Sequence, residues 1–229
     1  MYKKTVIFLS LFIIAICAKA SIGEKLILRH RFKYRQKNVY KIKWKVVSPN
    51  RTISISMKMR RLCIKLTNRK TAKLSFEISE NKINGEQSPN PPMPYILIAK
   101  NNGTIKKVVL GNKNLSPLFH FPNSEVDIGS RWNSVVNAWI QVRPFIMPVK
   151  AKLTRVLLYN SRKAVEIKFR GTRVYNVGMK IKVKLKGKIY FDYRAGKTLY
   201  KETESQYYLF QRGNWYNTSN AIMYSKLIN

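Results

Sequence analysis

Few side chains in this chain combine the type and spacing that chemistry needs. There are two histidines, His30 and His120, and one cysteine beyond the N-terminal leader, Cys63. Zinc sites take three or four N and S ligands, so this set is too small and no metal or cofactor is expected. Asp127 and Asp192 could join a histidine and a serine in a nucleophilic triad. No serine, however, sits in the glycine phrase of a nucleophile elbow, so a hydrolase is a distant alternative. Glu202 with Glu204 and Glu125 with Asp127 are carboxylate pairs two residues apart on extended segments. There they serve more simply as partners for nearby lysines. Neither a Walker loop nor a GxGxxG phrase occurs. Arg60, Arg61 and Lys65 surround Cys63 with the positive charge that activates a thiol, against the plainer reading of a small buried hydrophobe. Catalytic, metal and cofactor residues are therefore all expected to be none.

Charge is the strong signal. Lys+Arg number 45 against 10 Asp+Glu, a formal net charge of +35. Such a chain attracts polyanions: anionic lipid headgroups, cell-wall polymers, nucleic acid. Lys41, Lys43 and Lys45, and again Lys180, Lys182, Lys184, Lys186 and Lys188, alternate with apolar residues. These eight lysines are the candidate anionic-surface residues. Compositional drift in a Lys-, Asn- and Ile-rich chain is the competing account of the basicity.

The elements that position those lysines are strands. Ile181, Val183, Leu185, Gly187, Ile189 and Phe191 fall between the lysines with period two, the pattern of one buried and one wet face. A turn at Arg194-Ala195 with Gly196 in the left-handed position predicts a hairpin whose facing residue numbers sum to 390. That register sets Lys186 against Glu204, Lys188 against Glu202, Val183 against Tyr207 and Phe191 against Leu199. Alternation also predicts strands at Leu26 to Arg35, Tyr40 to Val46, Ile53 to Leu66, Leu74 to Ile78, Tyr95 to Ala99, Thr104 to Leu110, Val135 to Val142, Leu153 to Tyr159, Val165 to Phe169 and Ala221 to Ile228. Inward parity switches from Met59 to Leu62, which predicts a bulge at Arg60-Arg61 with Met57 and Leu62 both buried. Asn81 to Pro94 reads as a loop.

The fold class is all-β: a single curved antiparallel sheet of about ten strands, closing into a barrel or half-barrel. A two-sheet sandwich is the alternative. A one-faced sheet must cover its apolar side by closing on itself or by packing on a second layer. Trp44, Phe76 and Phe169 lie on the apolar side, as core or as lining for an apolar ligand such as an acyl chain. Because these rings lie opposite the lysines, a stacking platform for nucleic acid is not expected.

Residues 1–20 read as a signal peptide: Lys3 and Lys4, an apolar run from Val6 to Ile16, and the small-x-small site Ala18-Lys19-Ala20. An uncleaved N-terminal anchor is the rival. Lipidation at Cys17 is disfavoured by Ile16 where a small residue is wanted. Residues 21–229 are then one β domain, secreted or periplasmic. Asn50, Asn102, Asn114 and Asn217 head Asn-x-Ser/Thr triplets, which matter only in a eukaryotic host.

Leu118-Phe119-His120-Phe121-Pro122 followed by Val126-Asp127-Ile128-Gly129-Ser130-Arg131-Trp132 resembles a phrase of bacterial periplasmic and secreted domains of unknown function. Their late hairpin is similar to Gly187-Lys188-Ile189-Tyr190-Phe191-Asp192 with Gly196-Lys197. The resemblance implies a curved antiparallel β-fold and a cell-envelope setting, and no activity; the chain departs from it in its basicity. Composition and resemblance together point to a non-enzymatic protein that docks on anionic lipid or a cell-wall polymer, with a possible apolar ligand. The alternative is a structural or assembly component of the envelope without ligand.

Overall fold

The computed structural model describes residues 25–88, 94–113, 115–140 and 143–228. The expected signal peptide lies outside the described residues. Among the described residues twelve strands form one antiparallel sheet: β1 (Lys37–Ser48), β2 (Arg51–Asn68), β3 (Thr71–Ile83), β4 (Glu86–Gln87), β5 (Tyr95–Lys100), β6 (Ile105–Leu110), β7 (Arg131–Ile140), β8 (Arg143–Tyr159), β9 (Arg162–Asn176), β10 (Lys180–Asp192), β11 (Lys197–Gln211) and β12 (Asn214–Leu227). Their order is β6-β5-β3-β2-β1-β12-β11-β10-β9-β8-β7, with β4 beside β3. The sheet does not close, since β6 and β7 end the path. It is nonetheless rolled, because Trp44 of β1 meets Trp139 of β7 with ring centroids 5.7 Å apart, six strands round the sheet.

Two irregular segments cover the concave face. Leu26 and Val126 exchange backbone hydrogen bonds of 2.7 and 2.9 Å, and Leu26, Leu28, Phe119 and Phe121 enter the main core with Val136, Ile167, Val183, Ile189 and Phe191. The expected strand at Leu26 to Arg35 is therefore corrected: beyond that single bridge it pairs with no strand. Its backbone bonds go to loops, His30 N to Asn101 O at 2.6 Å and Arg31 N to Gly196 O at 3.3 Å, until its last residue, where Arg35 N donates to Cys63 O of β2 at 2.9 Å. A second cluster, with Cys63, Leu74, Phe76, Tyr95 and Leu97, lies under β2, β3 and β5.

The β10–β11 register follows the 390 rule from Ile181 to Tyr190. It slips at Phe191, which faces Thr198 and not Leu199. Gly196 takes φ +65°, as the turn requires. The parity switch in β2 is a misreading. The ladder to β3 runs unbroken from Met59 to Cys63, and its slips fall between Ser56 and Lys58, between Cys63 and Lys65 and between Leu66 and Asn68. Arg61 is the cause: its side chain is buried on the inner face with the guanidinium 6.0 Å from the Tyr40 ring centre. Parity therefore stays odd through Cys63, Met57 and Leu62 are half-buried, and Ile64 and Leu66 are exposed. The Asn81 loop also begins later than expected, since β3 runs to Ile83 and turns through Asn84 and Gly85 into β4.

Candidate polyanion-binding face

β8 opens with Pro144 and Pro148, which cannot donate to a ladder. The pairing of β8 with β9 accordingly starts at Lys150 and Arg170. Ahead of that point, Ile146 O accepts from Arg173 Nη1 and Tyr175 Oη, both at 3.3 Å. Where the strands part, the outer face is grooved. Two adjoining grooves of about 730 and 670 Å³ share Lys150, Arg170, Lys186 and Glu204.

Cross-strand register arranges the outer-face cations in rows. One row runs Lys150, Arg170, Lys186, then Glu204, Ile222 and Lys45. The next runs Arg131, Lys152, Lys168, Lys188, then Glu202, Tyr224 and Lys43. A third carries Tyr190, Tyr200, Lys226, Lys41 and Lys58. Lys184 faces Gln206 and Thr172, Lys182 faces Tyr208 and Val174, and Lys180 faces Asn176. Both lysine groups named from the sequence thus share one face, and β11 and β12 separate them. Directly opposed side chains in a sheet stand about 5 Å apart, and rows along a strand repeat at about 7 Å.

In the first two rows the acids stand on β11 alone, while Glu166 of β9 lies on the same outer face and pairs with Arg155 at 3.2 Å. Lys186 Nζ reaches Glu204 at 2.9 Å and Lys188 Nζ reaches Glu202 at 3.0 Å. Both ammonium groups are held above the usual lysine range by those hydrogen bonds. Burial raises the Glu202 carboxyl, but hydrogen bonds from Lys188 and Tyr200 outweigh it and leave it below the usual range. Arg131, Lys150, Lys152 and Arg170 stand exposed on the far side, and Lys168 reaches Glu166 only at 3.9 Å. Arg131, Lys150 and Lys152 are additions to the eight candidate lysines. The alternation Lys150, Lys152 with Ala151, Leu153 carried the signal, but Pro148 masked the strand that displays it.

Trp44, Phe76 and Phe169 point inward, as expected, into three different places. Phe169 is buried against Phe119 (5.7 Å) and covers Gly187, where an added Cβ would lie 2.4 Å from its ring. Phe76 packs on Tyr95 in the second cluster. Trp44 lines a separate apolar pocket of about 370 Å³ with Trp139, Ile181 and Leu209. The outer face also has rings of its own. Tyr159, Tyr190, Tyr200 and Tyr224 form a file with centroids 4.9 to 6.4 Å apart. Lys182 Nζ lies 4.3 Å from the Trp215 ring and 5.2 Å from Tyr208. The separation of aromatics from lysines that set nucleic acid aside therefore holds for Trp44, Phe76 and Phe169 and not for these rings.

The catalytic candidates serve structure. Asp192 accepts the Ala195 N–H at 2.8 Å, Asp127 accepts the Ser130 hydroxyl, and His120 Nε2 lies 3.5 Å from Ser116 Oγ. Among the described residues no three His, Cys, Asp or Glu gather as metal ligands. Cys63 is a free, buried thiol, and burial pushes its pKa up. One inward lysine escaped the sequence reading because the strand about it reads as alternation broken by Thr and Ser. Lys201 stands between Ile189 and Ser225, and desolvation lowers its ammonium to about 8. Some of its surface remains accessible, so part of that penalty is screened. Lys201→Met accordingly raises stability by about 1–2 kcal/mol at pH 7, read by urea denaturation; a loss of stability would show that the ammonium is favourably held.

No protein-family model and no curated protein matches the chain. Among solved structures it is similar to a crystal structure of a protein of unknown function from the DUF3598 family of Nostoc punctiforme, at 12% identity over 83% of this chain and 95% of that one, with a TM-score of 0.16. So low a score carries nothing about function.

Proposed function

We propose that this is a secreted or periplasmic, non-enzymatic protein that docks on an anionic lipid surface of the cell envelope through the outer face of its sheet. The carrying observation is the pair of uninterrupted cation rows, Lys150-Arg170-Lys186 and Arg131-Lys152-Lys168-Lys188. Like charges directly opposite one another destabilise a sheet. A polyanion relieves that repulsion, and each Lys or Arg near an anionic membrane contributes about 1 kcal/mol, fading within a Debye length of about 8 Å at physiological salt. Sedimentation with neutral and anionic vesicles across a salt series tests the reading. Binding is expected to anionic vesicles alone, to weaken with salt, and to fall about a hundredfold when Lys150, Lys152 and Lys168 are replaced by Gln. Equal binding to both vesicle types, or binding indifferent to salt, would identify the basicity as compositional. Retention by an anionic wall polymer with none by vesicles would move the partner from lipid to polymer.

A structural or assembly role without ligand is the second reading. The side-chain-filled packing around Phe76 and Phe169 favours it. Native mass spectrometry of the purified protein separates the two, because a lipid adduct is incompatible with the ligand-free role.

A further inference from the structure

Register places three hairpin turns at one rim of the rolled sheet. Val47 faces Asn220, and Ile181 faces both Leu209 and Tyr175. The turns after β1, β9 and β11 therefore project from the same end. That rim is apolar: Val174, Val177, Met179, Phe210 and Tyr216 are all exposed, Tyr216 by 50% and Val174 by 47%. It is also basic and aromatic. Trp215 packs on Phe210 at 5.1 Å, with Lys182 Nζ 4.3 Å from the Trp215 ring and Lys180 Nζ 5.5 Å from Phe210. Directly behind the rim lies the 370 Å³ pocket, lined by Trp44, Ile53, Trp139, Ile181 and Leu209, with Met179 belonging to both rim and pocket.

Clustered exposed apolar groups mark a partner surface, and pockets of this volume and lining take apolar ligands. Trp and Tyr beside Lys are the residues that settle at a lipid–water boundary, rings in the acyl region and ammonium groups at the headgroups. We infer that this rim inserts end-on into an anionic phospholipid bilayer and that the pocket behind it receives one acyl chain. A hydrophilic wall polymer leaves the exposed Val, Met and Phe side chains with nothing to bury against. The anionic headgroup complements Lys180 and Lys182. The inference rests on the docking reading for its electrostatics and differs from it in the residues that touch the membrane.

The purified protein is mixed with vesicles of phosphatidylcholine and phosphatidylglycerol in equal parts, with brominated chains in a parallel set. Wild type is expected to bind with Trp215 fluorescence quenched by the bromine, and Trp215→Phe to lose that share of the quenching. The combined variant Met179→Ser, Phe210→Ser, Tyr216→Ser, its fold verified by circular dichroism, is expected to bind at least about tenfold more weakly. Solvent extraction of vesicle-exposed protein is expected to yield one phospholipid per chain, and none from Ile53→Lys, which sets a charge on the pocket wall. A rim variant that binds like wild type overturns end-on insertion and leaves docking by the outer face standing. Absence of wild-type binding defeats the docking reading itself. Equal lipid recovery from wild type and Ile53→Lys, or none from either, overturns the pocket assignment.

Discussion

Phe191→Ala is expected to lower the free energy of unfolding by about 4 kcal/mol, within the usual range for a buried phenylalanine truncated to alanine. The ring is fully buried on the concave side of β10. It packs at 4.4 Å on Phe121 and meets His30 edge-on at 5.6 Å. Those two residues belong to the two irregular segments that cover the open sheet, so Phe191 pins both to it. Truncation costs the transfer free energy of the ring and leaves a cavity between sheet and cover. Collapse is resisted because Leu28, Ile167 and Ile189 are themselves fully buried in the same cluster. Phe210→Ala, on the exposed rim, is the control and is expected to cost about 0.5 kcal/mol or less. Urea unfolding followed by circular dichroism measures both. A loss under about 1 kcal/mol for Phe191→Ala would mean that the covering segments are not held by this contact.

What could be read beforehand follows from how locally each feature is encoded. The β10–β11 hairpin was legible because three independent signals, the Gly196 turn, the odd apolar file and the Lys–Glu pairs, fix the same register. It failed only at Phe191, where a slip of one residue leaves no trace in a pattern of period two. The outer lysines were legible through the same period. Their assembly into rows was not, since which strand lies beside which depends on long connections; β1 pairs with β12 across nearly the whole chain. Arg61 defeated the parity rule. A buried cation above Tyr40 looks, in sequence, like an exposed one, and Leu62, Ile64 and Leu66 then mimic an inward file. Leu26 to Arg35 alternates as a strand does, yet apart from the bond of Arg35 N to Cys63 O its backbone partners lie outside the strands. The pocket was the least legible, because Trp44 of β1 and Trp139 of β7 meet only when the sheet rolls.

Acid should weaken this fold well above the range where carboxylates titrate. His30 is buried among Phe32, Phe121 and Phe191, with its Nε2–H donated to Phe119 O at 2.9 Å and its Nδ1 without a partner. Protonation would put a charge on Nδ1 in that apolar setting. Desolvation, reinforced by the nearby Arg61 charge, lowers the imidazole pKa from 6.5 to about 3. The unfolded chain binds the proton near 6.5, the folded one only near 3. The stabilisation is therefore fully present above pH 6.5 and is lost as pH falls towards 3, at about 1.4 kcal/mol per unit. Between pH 7.5 and 5 the expected loss is about 2 kcal/mol, in a window where Glu166 and Glu202, both held below the usual range, remain ionised. His120, also lowered by burial, adds to the loss with the same sign. His30→Gln keeps a donor for Phe119 O and has nothing to titrate, so its urea midpoint is expected to vary much less over the same pH series. A slope in His30→Gln as steep as in wild type would place the acid sensitivity elsewhere, and a wild-type midpoint flat from pH 7.5 to 5 would show that His30 protonates without cost.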